Sequence, residues 1–141
     1  MEVFLLFIIL VISSYLDYEK NIVYSPFNMA ISLLALIHNI INDYNSRDIL
    51  LGYLLIPLIL FLINYVKNNS IGDGDIEFLS SMGIYLGYQK QVIAFFIGIL
   101  VVFIYSLINK KERYPLIPFL SFGFVITLVI FWYSNSIYST C

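Results

Sequence analysis

The sequence predicts an all-α integral membrane protein, a bundle of about six transmembrane helices, and three observations support this fold class. The chain of 141 residues is 61% hydrophobic and only 11% charged, whereas soluble domains carry about 25% charged residues. Its mean hydropathy is +0.92. The apolar residues form continuous runs rather than short alternating strands, and a backbone surrounded by lipid must satisfy its own hydrogen bonds, which favours helices.

The apolar residues fall into six segments separated by polar breaks. The first follows Glu2 and has neither a basic leader nor a small-residue cleavage site, so we interpret it as a retained helix rather than a signal peptide. Pro26 suits the first turn of the second helix, where its missing N–H costs nothing. Pro57 is predicted to kink the third, which membrane bundles tolerate. The predicted segments are Val3–Leu16, Phe27–Ile41, Ile49–Val66, Ile76–Tyr88, Val92–Ile108 and Pro115–Tyr133.

The last three segments differ in length and glycine content. The fourth segment is the shortest, so it either begins below the membrane interface or lies where the bilayer thins. Gly83, Gly87 and Gly98 lack side chains and are predicted to allow close helix packing. Pro115 and Pro118 are predicted to begin the sixth helix.

Composition also excludes several classes of function. A net charge of −2 gives no basic surface for nucleic acid. One cysteine, Cys141, cannot make an internal disulfide or a thiolate metal site. The sequence has no phosphate-binding loop and no histidine–carboxylate cluster, so we expect no cofactor and no metal. We expect residues 1–141 to form a single transmembrane domain in a lipid bilayer.

The distribution of Lys and Arg predicts the orientation of the bundle. Five of the seven basic residues lie in one set of alternate loops and only two, Arg47 and Lys90, lie in the other set. Because cytoplasmic loops are enriched in Lys and Arg, the first set is predicted to be cytoplasmic, with both termini outside. This places Asp17 and the Gly72–Asp75 stretch on the same side. The five residues are Lys20, Lys67, Lys110, Lys111 and Arg113.

Asp17 and Asp75 are the candidate reactive groups, because a carboxylate at the edge of hydrocarbon is costly and indicates a functional site. Two close carboxylates cannot both ionise easily, so such a pair holds one proton near neutral pH. The ionised partner can activate water while the protonated partner polarises a peptide carbonyl. The alternatives are an interfacial charge for Asp17 and a helix N-cap for Asp75.

The residues around Asp75 have their own predicted roles. Gly72 and Gly74 flank Asp73 in a predicted tight turn, and they would let another chain approach closely. Asp73 is the weaker candidate for the acid because it lies within that turn. Glu77 is two residues beyond Asp75, so on a helix it should face away and lie at the interface.

Three sequence blocks resemble the type IV prepilin peptidase family, membrane aspartic proteases that carry a Gly-x-Gly-Asp motif. The first is Ser14-Tyr15-Leu16-Asp17 with the later stretch Asn21–Asn28, similar to Ser-x-x-Asp and an Ile-Pro-Asn-like stretch. The second runs from Gly72 through Asp75 to Leu79, followed by Gly83 and Gly87. The third is the proline block Pro115–Gly123. The blocks occur in the family's order over almost the whole chain.

The resemblance implies that Asp17 and Asp75 are the catalytic pair, with Gly72, Gly74, Pro115 and Pro118 shaping the turn and the substrate site. It implies removal of a short basic leader from type IV pilin-like precursors, just before the substrate's hydrophobic helix. That reaction, which serves type IV pili and protein secretion, would occur on the cytoplasmic side of a prokaryotic plasma membrane. The chain would be a short, peptidase-only form without the N-terminal domain of the bifunctional members.

The sequence departs from the family pattern at three places, and these departures leave alternatives open. Glu77 replaces a usual basic residue, Tyr24-Ser25-Pro26 differs from the usual Ile-Pro order, and Ile117 replaces a glycine. The chain could therefore be a non-enzymatic membrane subunit, either a degenerate homologue or a component that binds ions or relays protons. It could also be a peptidase for another leader-bearing precursor.

Overall fold

The computed structural model describes residues 2–20, 22–42, 44–66, 71–109 and 114–138, and within these ranges the chain is helical, as the sequence predicts. Asn21, Lys67, Lys110, Lys111, Arg113 and Cys141, which enter the sequence predictions, lie outside the described residues. The helices are α1 (Glu2–Lys20), α2 (Ser25–Ile41), α3 (Ser46–Val66), α4 (Asp73–Leu86), α5 (Tyr88–Ile108) and α6 (Ile117–Tyr138).

The break between α4 and α5 lies at Gly87, which corrects the break predicted at residues 89–91. Gly87 has φ +72° and ψ 168°, and only glycine adopts such backbone angles without strain. The polar residues after it continue into α5. Gln91 is buried there and its side-chain Nε2 donates a 2.7 Å hydrogen bond to the carbonyl of Leu79. The polar residues therefore join the two helices instead of ending one of them.

The surface of the bundle is that of a multi-pass membrane protein. Three described helical spans are long and apolar enough to cross a membrane: Ser46–Val66, Tyr88–Ile108 and Ile117–Ser134. The helix α2 is apolar but shorter. Large apolar side chains such as Phe96, Phe103 and Trp132 are exposed on the outside, where lipid can cover them.

The shortest helix, α4, is the packing centre. It packs against α2, α3, α5 and α6. Its Gly83 lies against Gly52 of α3 so closely that a Cβ on either glycine would overlap the backbone of the other. Gly98 of α5 and Gly123 of α6 make a second close helix contact. Small residues let helix backbones approach in membranes, so the predicted roles of Gly83 and Gly98 are confirmed.

The first helix is attached to the bundle differently. It packs against α2 and α6, while no Cα atom of α1 comes within 8 Å of a Cα atom of α4. The described backbones of α1 and α4 are therefore more than 8 Å apart between Cα atoms, a separation that we call the gap, and α2 and α6 each pack against both helices.

Candidate active site

Asp17 lies in the last turn of α1 and is only 4% exposed. Its Oδ2 accepts a 3.0 Å hydrogen bond from the backbone N–H of Ile117, the first residue of α6. The first N–H groups of a helix have no partner within the helix, and its N-terminus favours negative charge. Burial raises the pKa of Asp17, and the hydrogen bond from Ile117 acts in the opposite direction.

A second polar contact joins the same two helices about one turn away. The side chain of Ser14 on α1 donates a 3.1 Å hydrogen bond to the side chain of Ser121 on α6. Together with the bond from Ile117 to Asp17, it fixes the end of α1 against the start of α6. The carboxyl of Asp17 is thus positioned by two hydrogen bonds. It accepts one from Ile117, and the other, from Ser14 to Ser121, attaches its helix to α6.

Asp75 is the third residue of α4, in its first turn, and lies outside the helices that are long and apolar enough to span a membrane. Gly72 is the N-cap residue and makes no side-chain cap, so the alternative that Asp75 caps the helix is wrong. The Asp75 Oδ1 is buried and has no hydrogen-bond partner among the described residues. Burial, and secondarily the negative charge of Asp17, raise the pKa of Asp75 to about 7.

The structure places Asp17 and Asp75 at the same end of the bundle, on the two sides of the gap between α1 and α4. Their carboxyls are near enough to interact electrostatically, although their helices do not pack together. Chemically, such a pair can hold one proton near neutral pH.

Gly72 and Gly74 do not form the predicted tight turn before the helix. Asp73 and Gly74 already belong to α4, and Gly72 has an ordinary extended conformation with φ −67° and ψ 136°. Gly74 is required for close approach, because an added Cβ would overlap the side chain of Val23. A Cβ on Gly72 would lie 3.2 Å from Oδ2 of Asp75. Both glycines therefore make space around the first turn of α4.

The proline block forms the start of α6, which begins at Ile117 rather than at the predicted Pro115. Pro115 is buried just before the helix, and Pro118 is the second helical residue, where a missing N–H is tolerated. Pro118, Ser14 and Ser121 line a groove of about 290 Å³ between α1 and α6. The prolines thus lie on either side of the N–H that contacts Asp17.

A polar interface joins α2 and α4 through Glu77, Ser25 and Asn28. Glu77 accepts a 2.7 Å hydrogen bond from the side chain of Ser25 and a 3.4 Å bond from Nδ2 of Asn28. Asn28 also donates a 3.4 Å bond to the carbonyl of Gly74. One signal for this interface was available in the sequence, because Ser25, Asn28 and Ser32 share one face of α2, whose other residues up to Ile37 are apolar. Glu77 points away from Asp75, as predicted.

Glu77 also lines an open groove of about 520 Å³. The groove lies between α2 and α3, which both pack on α4 but not on each other. Its described lining includes two carboxylates, those of Asp73 and Glu77, four serines and the rings of Tyr53 and Phe61, and no lysine or arginine. Because Asp75 lies two residues before Glu77 in a helix, this groove is on the other side of α4 from the aspartate pair.

Comparison with known proteins adds a finding independent of this geometry. The model of the type IV leader peptidase family matches residues 4–107. The matched region contains both aspartates and the Gly72–Asp75 stretch, and it ends before the proline block. No curated protein and no solved structure matches the chain significantly. Because the family match covers well over half of the sequence, the chain belongs to the type IV leader peptidase family.

Proposed function

We propose that the chain is an aspartic endopeptidase that removes the leader of type IV pilin-like precursors, with Asp17 and Asp75 as its catalytic pair. The observation that carries the proposal is the pair itself: the buried Asp17 and the half-buried Asp75, whose Oδ1 is buried, come from separate helices and interact electrostatically at one end of the bundle. Membership of a leader peptidase family supports a peptidase in general. The aspartic mechanism is our inference from the pair.

The acidic groove supports a basic leader as the substrate element. Asp73 and Glu77 are exposed in the groove and, among the described residues, neither forms an ion pair. A cationic peptide would complement this charge. We propose that the basic leader lies along the groove and that the chain crosses the first turn of α4 over Gly72, which is exposed, to reach the aspartates. The precursor's hydrophobic helix would then lie in the bilayer.

The proposed orientation places the aspartates on the cytoplasmic side of a prokaryotic plasma membrane. The basis is the charge distribution of the sequence, in which five of seven basic residues share one set of loops. Lys20 lies one turn beyond Asp17 on the same helix. A leader that has not crossed the membrane would meet the pair at this end.

The test is co-expression with candidate pilin-like precursors, followed by mass spectrometry of the precursor. We expect the wild-type protein to shorten a precursor at one bond ahead of its hydrophobic helix. Asp17→Asn and Asp75→Asn should lower cleavage by roughly 10²-fold or more, because a positioned acid or base contributes at least that much. Asp48→Asn is a matched control, because Asp48 lies in the first turn of α3, at the other end of the bundle.

Three outcomes distinguish the proposal from its alternatives. An Asp17→Asn or Asp75→Asn protein with wild-type activity would refute the aspartic mechanism. Cleavage of a different leader-bearing precursor would retain the mechanism and change the substrate. A folded, membrane-inserted protein that cleaves nothing but moves ions or protons in vesicles would favour the non-enzymatic subunit.

A further inference from the structure

We infer that the two aspartates have fixed and different roles: the backbone N–H of Ile117 keeps Asp17 ionised as the general base, and Asp75 carries the shared proton as the general acid. The assignment of catalytic roles rests on the proposed function. The assignment of the proton rests on the geometry alone and can be tested without a substrate.

The two aspartates differ in their hydrogen bonding. The Oδ2 of Asp17 accepts a 3.0 Å bond from an N–H at the start of a helix of 22 residues. An N–H donor stabilises a carboxylate more than a neutral carboxyl, and the helix N-terminus adds to this preference. The Oδ1 of Asp75 is buried without any described donor. Nothing described at that atom compensates a negative charge, so the proton is favoured there.

No other described group reverses this difference in hydrogen bonding. The first two turns of α2 and α6 contain no titratable side chain. Asp73 and Glu77 face the groove on the other side of α4 and carry no positive charge that could stabilise an ionised Asp75. On α1, Glu19 and Lys20 are exposed to solvent. Within the described part of the chain, the remaining titratable residues at this end are tyrosines, namely Tyr15, Tyr18, Tyr24, Tyr65, Tyr105 and Tyr114.

The assignment gives a balanced reaction. Asp17 takes a proton from water as the water oxygen bonds to the scissile carbonyl carbon, and Asp75 gives its proton to the carbonyl oxygen. A neutral gem-diol forms. In the second step the proton on Asp17 passes to the leaving nitrogen, the C–N bond breaks, and one diol hydroxyl returns a proton to Asp75. Both carboxyls end in their starting states.

Ile117→Pro tests the role of the N–H directly. Proline removes the donor, and it is well tolerated at the first position of a helix. Ile117→Val is the matched control, because it changes the side chain and keeps the N–H. The readout is labelling with dicyclohexylcarbodiimide, which reacts with protonated carboxyls in apolar surroundings, followed by peptide mass spectrometry across a pH series in detergent.

In the wild type and in Ile117→Val we expect the label on Asp75, with labelling declining as the pH rises past about 7, and little label on Asp17. In Ile117→Pro we expect labelling of Asp17 near neutral pH to rise roughly tenfold, because a hydrogen bond to a charged group is lost. Preferential labelling of Asp17 in the wild type, or an unchanged pattern in Ile117→Pro, would overturn the inference.

A second variant covers the case in which Ile117→Pro does not fold. In Asp75→Asn the N–H of Ile117 remains, so Asp17 should stay unlabelled at neutral pH. Strong labelling of Asp17 in this variant would contradict the inference. The labelling result and the proposed function can fail separately. If Asp75 is labelled as expected but no precursor is cleaved, the peptidase function is contradicted. If a precursor is cleaved but the label is on Asp17, the assignment of roles is contradicted.

Discussion

At the scale of single residues, Asp75 differs from an ordinary aspartate in its surroundings. It occupies the first turn of a helix, a position that normally favours ionisation through the helix dipole. Here burial and the charge of Asp17 dominate and raise its pKa to about 7. The sequence allowed two interpretations of Asp75, a reactive carboxyl and a helix N-cap. It could not predict whether burial or the helix start would prevail, because that depends on the path of α1.

This raised pKa predicts a pH-dependent stability. The unfolded chain has an ordinary Asp pKa of 3.8, so between that value and about 7 the folded protein binds the Asp75 proton more tightly than the unfolded chain does. The stabilisation is complete below about pH 4 and is lost as the pH rises to about 7. We expect the unfolding temperature of wild type to fall over this range more steeply than that of Asp75→Asn, measured by thermal unfolding in detergent.

Asp73→Asn, which changes an exposed acid in the same turn, is the control and should retain the wild-type slope. Equal slopes in wild type and Asp75→Asn would contradict the prediction.

The acidic groove gives a second prediction at this scale. Glu77→Gln removes one carboxylate and preserves the shape of the side chain, although only one of the two oxygens that accept bonds from Ser25 and Asn28 remains an acceptor. We expect KM for a precursor with a basic leader to rise by up to roughly fivefold with little change in kcat, since exposed ion pairs contribute about 0.2–1 kcal/mol. Steady-state kinetics with a synthetic precursor measures this. A precursor whose leader lysines are replaced by glutamine is the control, and its KM should not respond to Glu77→Gln.

At the scale of helices, glycine contacts determine how α3 to α6 assemble. The sequence indicated Gly83 and Gly98 as packing sites but did not identify their partners, Gly52 and Gly123, since pairing depends on the relative rotation of the helices. It also assigned Gly87 to packing, whereas Gly87 ends α4 with a positive φ. Gly87 provides backbone angles that let the chain turn between α4 and α5. The break was predicted two residues later because the residues there are polar.

The glycine contacts between helices predict that Gly83→Ala destabilises the protein more than Gly98→Ala does. In Gly83→Ala the new methyl group would overlap the backbone of Gly52, which cannot move without separating α3 from α4. We expect a loss of about 1–3 kcal/mol, typical of overpacking. In Gly98→Ala the nearest atoms are Cδ2 and Cα of Leu120 at 3.0 and 3.1 Å, whereas the methyl group of Gly83→Ala would lie 2.0 Å from the carbonyl oxygen of Gly52, so the loss should be smaller. Thermal unfolding of the two variants side by side tests the order, and a more stable Gly83→Ala would contradict it.

At the scale of the whole molecule, the all-α membrane class could be predicted from hydropathy, because lipid leaves few alternatives for the backbone. That both aspartates lie at one end also followed from the count of segments between them. The hydrogen bond from Ile117 to Asp17 could not be predicted, because its donor is a backbone group with no side-chain signature. The separation of α1 from α4 is likewise a property of the assembled bundle.

The orientation of the bundle predicts the accessibility of its two ends. In a Cys141→Ser background, Lys20→Cys lies at the end with the aspartates and Arg47→Cys at the start of α3, at the other end, and both positions are exposed. We expect a membrane-impermeant thiol reagent to label Arg47→Cys in intact bacterial cells and Lys20→Cys only after the membrane is permeabilised. The reverse pattern would place the aspartates outside the cytoplasm.

The gap between α1 and α4 also determines how the sequence can vary among relatives. Gly52 and Gly83 are in mutual contact, so a larger residue at one of them requires a change at the other. Residues of α1 and α4 on the two sides of the gap share no such constraint, because their backbones do not meet. In a set of homologous sequences, we therefore expect correlated substitutions between α3 and α4. Substitutions in α1 should be independent of those in α4 at all positions except the two aspartates.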